Sequence, residues 1–204
     1  MKEKKAAEFH IDFLSKKMHY RREHAGLRSE LVARAIGLRP QDSPFIVDST
    51  AGLGRDSFIL ASLGFTVTML ERSSVIHQML EDALLRAKEA VPDIVNRMHL
   101  VHADAIEWLK QLPLDQRPDV IYIDPMFPKR KKSASVKKDM VFMQELLGKD
   151  SDHATLFQMA CDCAKYRVVV KRPRLAAKIS ERAANFCLNG KSSRFDIYLT
   201  RNGC

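Results

Sequence analysis

The sequence predicts an α/β protein: a mostly parallel, seven-stranded sheet with helices on both faces and an antiparallel strand at its C-terminal end. Three observations predict it. Short apolar runs rich in β-branched residues alternate along the chain with segments of helical periodicity. The first such run leads through a glycine turn into a helix, the opening of a βαβ unit. Two short runs then follow the fifth strand and meet across Asn189-Gly190, a turn dipeptide that closes the sheet with a hairpin.

The elements follow in order. Phe9, Ile11 and Phe13 alternate in a basic, weakly periodic opening that reads as an edge strand. Leu27, Leu31, Val32, Ala35 and Ile36 recur at helical spacing, and Gly37 stops that helix. Residues 45–48 form the first buried strand. After Gly52 and Gly54, a helix carries Phe58, Ile59, Ala61 and Leu63. Residues 66–70 read as a strand, 75–90 as a long helix, 98–101 as a strand and 105–112 as a helix. Residues 119–124 are the fourth strand, apolar between two acids. A helix over 154–164 precedes a fifth strand over 167–171, ended by Pro173. A further helix is expected over 175–184, then strands near 186–188 and over 194–199.

At 204 residues, 46% hydrophobic and 29% charged, the chain can form one sizeable core but not two full-sized domains. We divide it into a basic N-terminal appendage, residues 1–28, and a domain over 29–204. No run approaches the roughly 18 apolar residues of a membrane span, and Met1 to Lys5 lacks the apolar stretch of a secretory signal. A cytoplasmic protein with no membrane partner is expected. Cys161, Cys163, Cys187 and Cys204 have neither CxxC nor zinc-ligand spacing, so reduced thiols and no metal are expected. The net charge of +9 points to a polyanionic partner. It is concentrated in residues 129–138, where Lys129, Arg130, Lys131, Lys132, Lys137 and Lys138 stand without an acid. A charge run is usually a solvated face. This one directly follows the motif read below as catalytic.

In open parallel sheets, ligands sit beyond the carboxyl ends of the strands, so the chemistry is sought there. Gly52 and Gly54 allow a sharp turn and close approach of backbone to ligand, and the third glycine of a dinucleotide fingerprint is replaced by Ser57. That disfavours a pyrophosphate. Glu71 ends the second strand, where an acid accepts from ribose hydroxyls. Asp104 follows the third strand and has two readings, acceptor for an adenine amine or N-cap of the next helix. Asp124-Pro125-Met126-Phe127-Pro128 ends the fourth. There the Asp124 carboxylate and the Pro125 carbonyl can hold the hydrogens of an exocyclic amine and aim its lone pair, while Phe127 offers a stacking face for an extruded base.

These residues resemble the small-subunit ribosomal RNA guanine-N2 methyltransferases of the J type. The matching stretches are 48–56 (DSTAGLGRD), 69–72 (MLER), 122–128 (YIDPMFP), 132–138 (KSASVKK), 168–173 (VVVKRP) and 194–198 (RFDIY), which span the chain from about residue 19 to its end. The resemblance implies a Rossmann-like class I methyltransferase fold, S-adenosylmethionine as cofactor, and small-subunit (16S) ribosomal RNA or the ribosomal subunit as partner. It implies cofactor contacts from Gly52, Gly54, Arg55, Asp56, Glu71, Arg72, Asp104, Ala105 and Asp124. RNA contacts are expected from the six loop cations and from Lys171 and Arg172. Met126 stands where the broader amino-methyltransferase pattern has a second proline, as in the J type itself. Family members carry a longer N-terminal segment, of which residues 1–28 read as a remnant. The competing readings are an adenine-N6 nucleic-acid methyltransferase, a noncatalytic RNA-binding ribosome assembly factor, and a nicotinamide oxidoreductase, which would have no use for residues 124–128.

Overall fold

The computed structural model describes residues 10–125 and 152–200. Seven strands form one sheet in the order β3-β2-β1-β4-β5-β7-β6. They are β1 (Ile46–Asp48), β2 (Val67–Glu71), β3 (Met98–His102), β4 (Val120–Ile123), β5 (Arg167–Pro173), β6 (Phe186–Asn189) and β7 (Ser193–Leu199). The first five run parallel, and β7 lies antiparallel to both β5 and β6. Around the sheet stand α1 (Lys16–Glu23), α2 (Leu31–Ile36), α3 (Arg55–Ser62), α4 (Ser74–Lys88), α5 (Pro92–Val95), α6 (Ala105–Lys110) and α7 (His153–Cys163).

The continuous apolar strands are explained by burial on both faces. Side chains alternate across a strand, so Ile46, Val120, Tyr122 and Val169 enter one core cluster with Phe58, Leu60 and Leu80 from the helices. Val47, Ile121, Ile123, Val168 and Val170 enter the other, with Leu109, Leu156 and Phe157. Up to their carboxyl ends, the central strands β1 and β4 carry no charged side chain. In-register pairing of Asp48 with Met69 and Tyr122 aligns the strand ends, and the acids that close β1, β2 and β4 meet on one edge.

Two expected elements are replaced. The edge strand is absent over residues 10–13, and Phe9 lies outside the described residues. Instead, the Ile11 carbonyl accepts from Arg86 Nη2 at 2.6 Å, and the Asp12 carboxylate accepts from Leu14 N at 2.8 Å in a tight turn. Ile11, Phe13 and Met18 are buried in the same core as the helices that follow. Phe13 stacks on Phe58 with ring centroids 4.9 Å apart, a geometry worth about 0.5–1.5 kcal/mol beyond the area it buries.

The helix expected over 175–184 does not form either. Its carbonyls are taken by arginine side chains: Arg194 Nη1 donates to Arg174 O and Ala176 O, both at 2.9 Å, and Arg172 Nη2 donates to Ala177 O. Leu175 is 95% exposed, while Ile179 and Ala184 reach the core from an irregular chain, so the apolar residues of this stretch do not form one packed helical stripe. The second helix also starts later than its periodicity implied, at Leu31, and ends at Gly37, whose φ of 66° is left-handed. The closing hairpin forms, but its turn lies later than Asn189-Gly190: Asn189 ends β6 opposite Arg194, Gly190 N donates to Ser193 O at 2.7 Å, and the chain reverses at Lys191 and Ser192.

Candidate active site

The turn after β1 is tied to its neighbours before any ligand is considered. Ser49 N and Oγ both donate to Tyr122 O at 2.9 Å, Ala51 N donates to Leu70 O at 3.0 Å, and Asp124 N donates to Thr50 Oγ1 at 2.7 Å. Gly52 and Gly54 both have left-handed φ, 53° and 64°. A Cβ on Gly54 would sit 3.0 Å from Phe13 and from Leu80, so this turn is closed by the N-terminal segment as well as by its own conformation.

Beyond the ends of β1, β2 and β3 lies a cleft of about 570 Å³, lined by Thr50, Glu71, Arg72, Asp104, Ala105, Asp124, Asp152 and His153, among others. Glu71 is 6% exposed. Its Oε2 accepts from Gly52 N at 3.0 Å and its Oε1 from Ser73 N at 2.8 Å. Burial pushes this carboxyl above its ordinary range while those backbone donors pull it back. A carboxylate has about four lone-pair sites, so each oxygen keeps capacity for a second donor. Asp104 proves to be the N-cap of α6, its Oδ1 accepting from Ile106 N at 2.9 Å and Glu107 N at 3.2 Å. Its Oδ2 lies 3.8 Å from Arg72 Nη1, so capping and a place on the cleft wall are compatible. Arg72 reaches across to Asp152 at 2.8 Å and joins β2 to the start of α7.

A second hollow of about 690 Å³ adjoins the first and shares Thr50 and Asp124 with it. Gly54, Arg55 and Asp56, expected at the cofactor, line this hollow rather than the cleft. Its floor is a group of charges. Asp56 is 8% exposed and accepts from Tyr122 OH at 2.7 Å and from Lys171 Nζ at 2.6 Å, while Arg21 Nη1 stands 2.8 Å from its other oxygen. Burial alone would raise the Asp56 carboxyl, but Lys171 and Arg21 overcome it and hold this group well below the usual carboxylate range. Lys171 Nζ also donates to Asp124 Oδ2 at 2.8 Å. Burial raises the Asp124 carboxyl, with Lys171 opposing.

Sequence reasoning missed several members of this group. Asp48, buried at 2% exposure, accepts from Ser57 Oγ at 2.5 Å and from Thr50 N at 3.2 Å, and burial pushes it up to about 7. Tyr122, Arg21 and Thr50 were also unassigned. Asp48 alone left a signal, as an acid closing the first buried strand. Of Lys171 and Arg172, expected on RNA, Lys171 is held between two carboxylates on the wall of this hollow, and Arg172 is 4% exposed. Pro125 is buried directly after Asp124. Phe127 and the loop cations Lys129, Arg130, Lys131, Lys132, Lys137 and Lys138 lie outside the described residues. Among the described residues, no group of acids, histidines and cysteines could hold a metal ion, and no helix is long and apolar enough to cross a membrane.

The chain matches known proteins over nearly its whole length. The SAM-dependent methyltransferase family model matches residues 1–200. A ribosomal RNA small subunit methyltransferase J from Chromobacterium violaceum is 50% identical over 94% of this chain and 76% of the relative. One from Marinobacter nauticus is 48% identical over 93% of this chain and 69% of the relative. The crystal structure of a SAM-dependent methyltransferase from Neisseria gonorrhoeae superposes with a TM-score of 0.73 at 37% identity, covering 95% of this chain and 76% of that one. An RNA methyltransferase from Salinibacter ruber shares the fold alone, with a TM-score of 0.53 at 11% identity. With its strand order, its acids on one sheet edge and these matches taken together, the chain belongs to the ribosomal RNA small subunit methyltransferase J family of SAM-dependent methyltransferases.

Proposed function

We propose that this enzyme methylates the exocyclic N2 amine of a guanine in small-subunit (16S) ribosomal RNA. The observation that carries the reading is the position of Asp124, a carboxylate on the shared wall of two adjoining hollows, with one oxygen held by Lys171. One hollow suits the cofactor and the other the target base.

The residues around the cleft fit S-adenosylmethionine. Glu71 is an acidic acceptor already oriented by two backbone donors, suited to paired ribose hydroxyls. Asp104 and Ala105 stand at the start of α6, where an adenine would be read, and Arg72 closes the mouth. When bound, the cofactor supplies an electrophilic methyl group on a sulfonium. Asp124 accepts hydrogen bonds from the target amine, the Pro125 carbonyl assists, and together they keep its lone pair pointed toward the cleft. Phe127 stacks on the extruded base, and the loop cations from Lys129 to Lys138 grip the adjacent phosphates. Arg55 and Asp56 then serve the base side of Asp124 rather than the cofactor side. Such a substrate places the enzyme in the cytoplasm.

The test is nucleoside analysis of small-subunit RNA, isolated from cells lacking this protein and then treated with the enzyme and S-adenosylmethionine. N2-methylguanosine at one position is expected. N6-methyladenosine would replace the reading with the adenine alternative, and cofactor binding without turnover would replace it with a noncatalytic assembly role.

A further inference from the structure

We infer that Lys171 is a positioning residue for Asp124, held in its seat by an ion chain that runs through Asp56 and Arg21 to Glu30. The inference rests on the reading of Asp124 as the acceptor of the target amine. It assigns to Lys171 a task other than gripping RNA.

The chain crosses five parts of the fold. Glu30 caps the start of α2 and receives Arg21 of α1 in a two-pronged contact, Nε to Oε1 at 3.0 Å and Nη2 to Oε2 at 2.9 Å. The remaining Arg21 nitrogen meets Asp56 Oδ1 at 2.8 Å, and Tyr122 OH from β4 fixes Asp56 Oδ2. An acid bonded on both oxygens by groups from two elements has little freedom to turn. Asp56 therefore presents a fixed charge to Lys171 of β5 at 2.6 Å. Parallel pairing of Ile123 with Val170 places Lys171 beside Asp124, and the ammonium reaches Asp124 Oδ2 at 2.8 Å.

Two consequences follow for the reaction. Lys171 engages Oδ2, and among the described residues Oδ1 has no hydrogen-bond partner, so the carboxylate is turned with one defined oxygen for the amine. Lys171 also favours the charged form of that carboxylate, against the burial that raises it. Among the described residues, Asp48 from β1, Asp56 from α3, Tyr122 from β4 and Lys171 from β5 interact electrostatically with Asp124, Arg55 lines the same hollow, and Glu71, Arg72, Asp104 and His153 line the adjoining cleft; of these only Lys171 hydrogen-bonds the carboxylate. With Lys171 gone, burial and the neighbouring acids would all favour the protonated form, which donates where an acceptor is required.

The test uses the full chain with small-subunit RNA in single-turnover assays at saturating cofactor and RNA. Lys171→Gln should slow the step by about tenfold or more, the usual scale for a hydrogen bond to a charged group. The acid limb of the pH-rate profile should move to higher pH. Cofactor affinity by calorimetry should stay within about threefold, and Lys171→Arg should recover part of the rate. In an Asp124→Ala background, Lys171→Gln should have little further effect, because the two residues act as one unit. Should the single variant fail to fold, Lys171→Gln combined with Asp56→Asn removes the unpaired buried charge, and the same rate loss is expected with a smaller pH shift in the same direction, because Asp56 itself raises the Asp124 carboxyl. A folded variant of either kind with wild-type rate and an unmoved acid limb overturns the proposal, even if its melting temperature falls. So does a Lys171→Gln effect as large without Asp124 as with it. A wild-type rate for Asp124→Ala alone would instead remove the reading of Asp124, and this inference with it.

Discussion

The two hollows that meet at Asp124 hold their acids by different means. In the cleft proposed for the cofactor, Glu71 and Asp104 are fixed by backbone N–H groups, so their negative charge is not neutralised by the contacts that orient them. In the hollow proposed for the base, Asp56 and Asp124 are fixed by Lys171, with Arg21 behind. Neutral donors orient an acid and leave its charge available to a ligand. Cations orient it and also set its protonation. The first arrangement is suited to binding, and the second makes rate and stability depend on pH.

The largest effect should come from the wall between the two. Asp124→Ala is expected to lose about 10²–10³ in the single-turnover rate while remaining folded, the usual loss on removing one preorganised group from such a site. Asp124→Asn keeps an acceptor without the charge, and partial rescue would show that geometry outweighs charge. A rate within a few-fold of wild type would break the comparison at its centre.

Glu71→Ala should act on binding instead. S-adenosylmethionine affinity measured by calorimetry is expected to fall about tenfold or more, corresponding to about 1.5–3 kcal/mol for hydrogen bonds to a charged group. The rate at saturating cofactor should change far less. An unchanged affinity in a folded variant would remove the cofactor from this cleft.

Within the second hollow, stability should depend on pH with two opposite signs. Asp56 is held below the usual carboxylate range, so the folded state binds fewer protons than the unfolded state as pH falls below that range. Its contribution is full above about pH 4, near the unfolded value, and is lost as pH drops through the depressed folded value. Asp48 has the opposite sign: raised to about 7, it costs stability progressively from about pH 4 to 7. Denaturant midpoints for Asp56→Asn should therefore fall less steeply between neutral and acid pH than those of the parent. An identical acid slope would mean that Asp56 is not the group held charged.

The smallest effect per residue is expected outside both hollows. Replacing Lys131, Lys132, Lys137 and Lys138 with glutamine should leave cofactor affinity intact. The salt dependence of RNA binding should flatten by about 0.7 for each phosphate no longer neutralised on a single strand. If affinity and slope both survive, those lysines are a solvated face.

Much of this molecule was legible without coordinates because its central strands are buried on both faces. Val120 to Ile123 and Val168 to Val170 have no polar residue to blur them, and the acids that close the strands stand out against that background. Asp104 kept two readings because an N-cap and a ligand contact use the same residue type at the same place. Misreadings came where side chains from elsewhere in the chain took the backbone groups that a local element would have used. Leu175 to Ala184 has helical periodicity, but Leu175 stands exposed and Arg172 and Arg194 supply donors to carbonyls a helix would have used itself. In the opening segment, Ile11 and Phe13 alternate as in a strand, yet they pack over Phe58 while Arg86 takes the backbone carbonyl.

By itself, then, the sequence determined the α/β class, the sheet with its closing hairpin, the family, and the strand-end acids Glu71, Asp104 and Asp124. Periodicity and short motifs are local properties, and these features are local. Only the tertiary structure decided that Asp124 lies on a wall between two hollows, that Arg55 and Asp56 face the second of them, and that Lys171 is an internal cation. Glu30, Arg21, Asp56, Tyr122, Asp124 and Lys171 are spread across the chain, and their ion chain exists only where the sheet and three helices bring their ends together. Charge interactions depend on distance and burial, and neither is written in the order of residues.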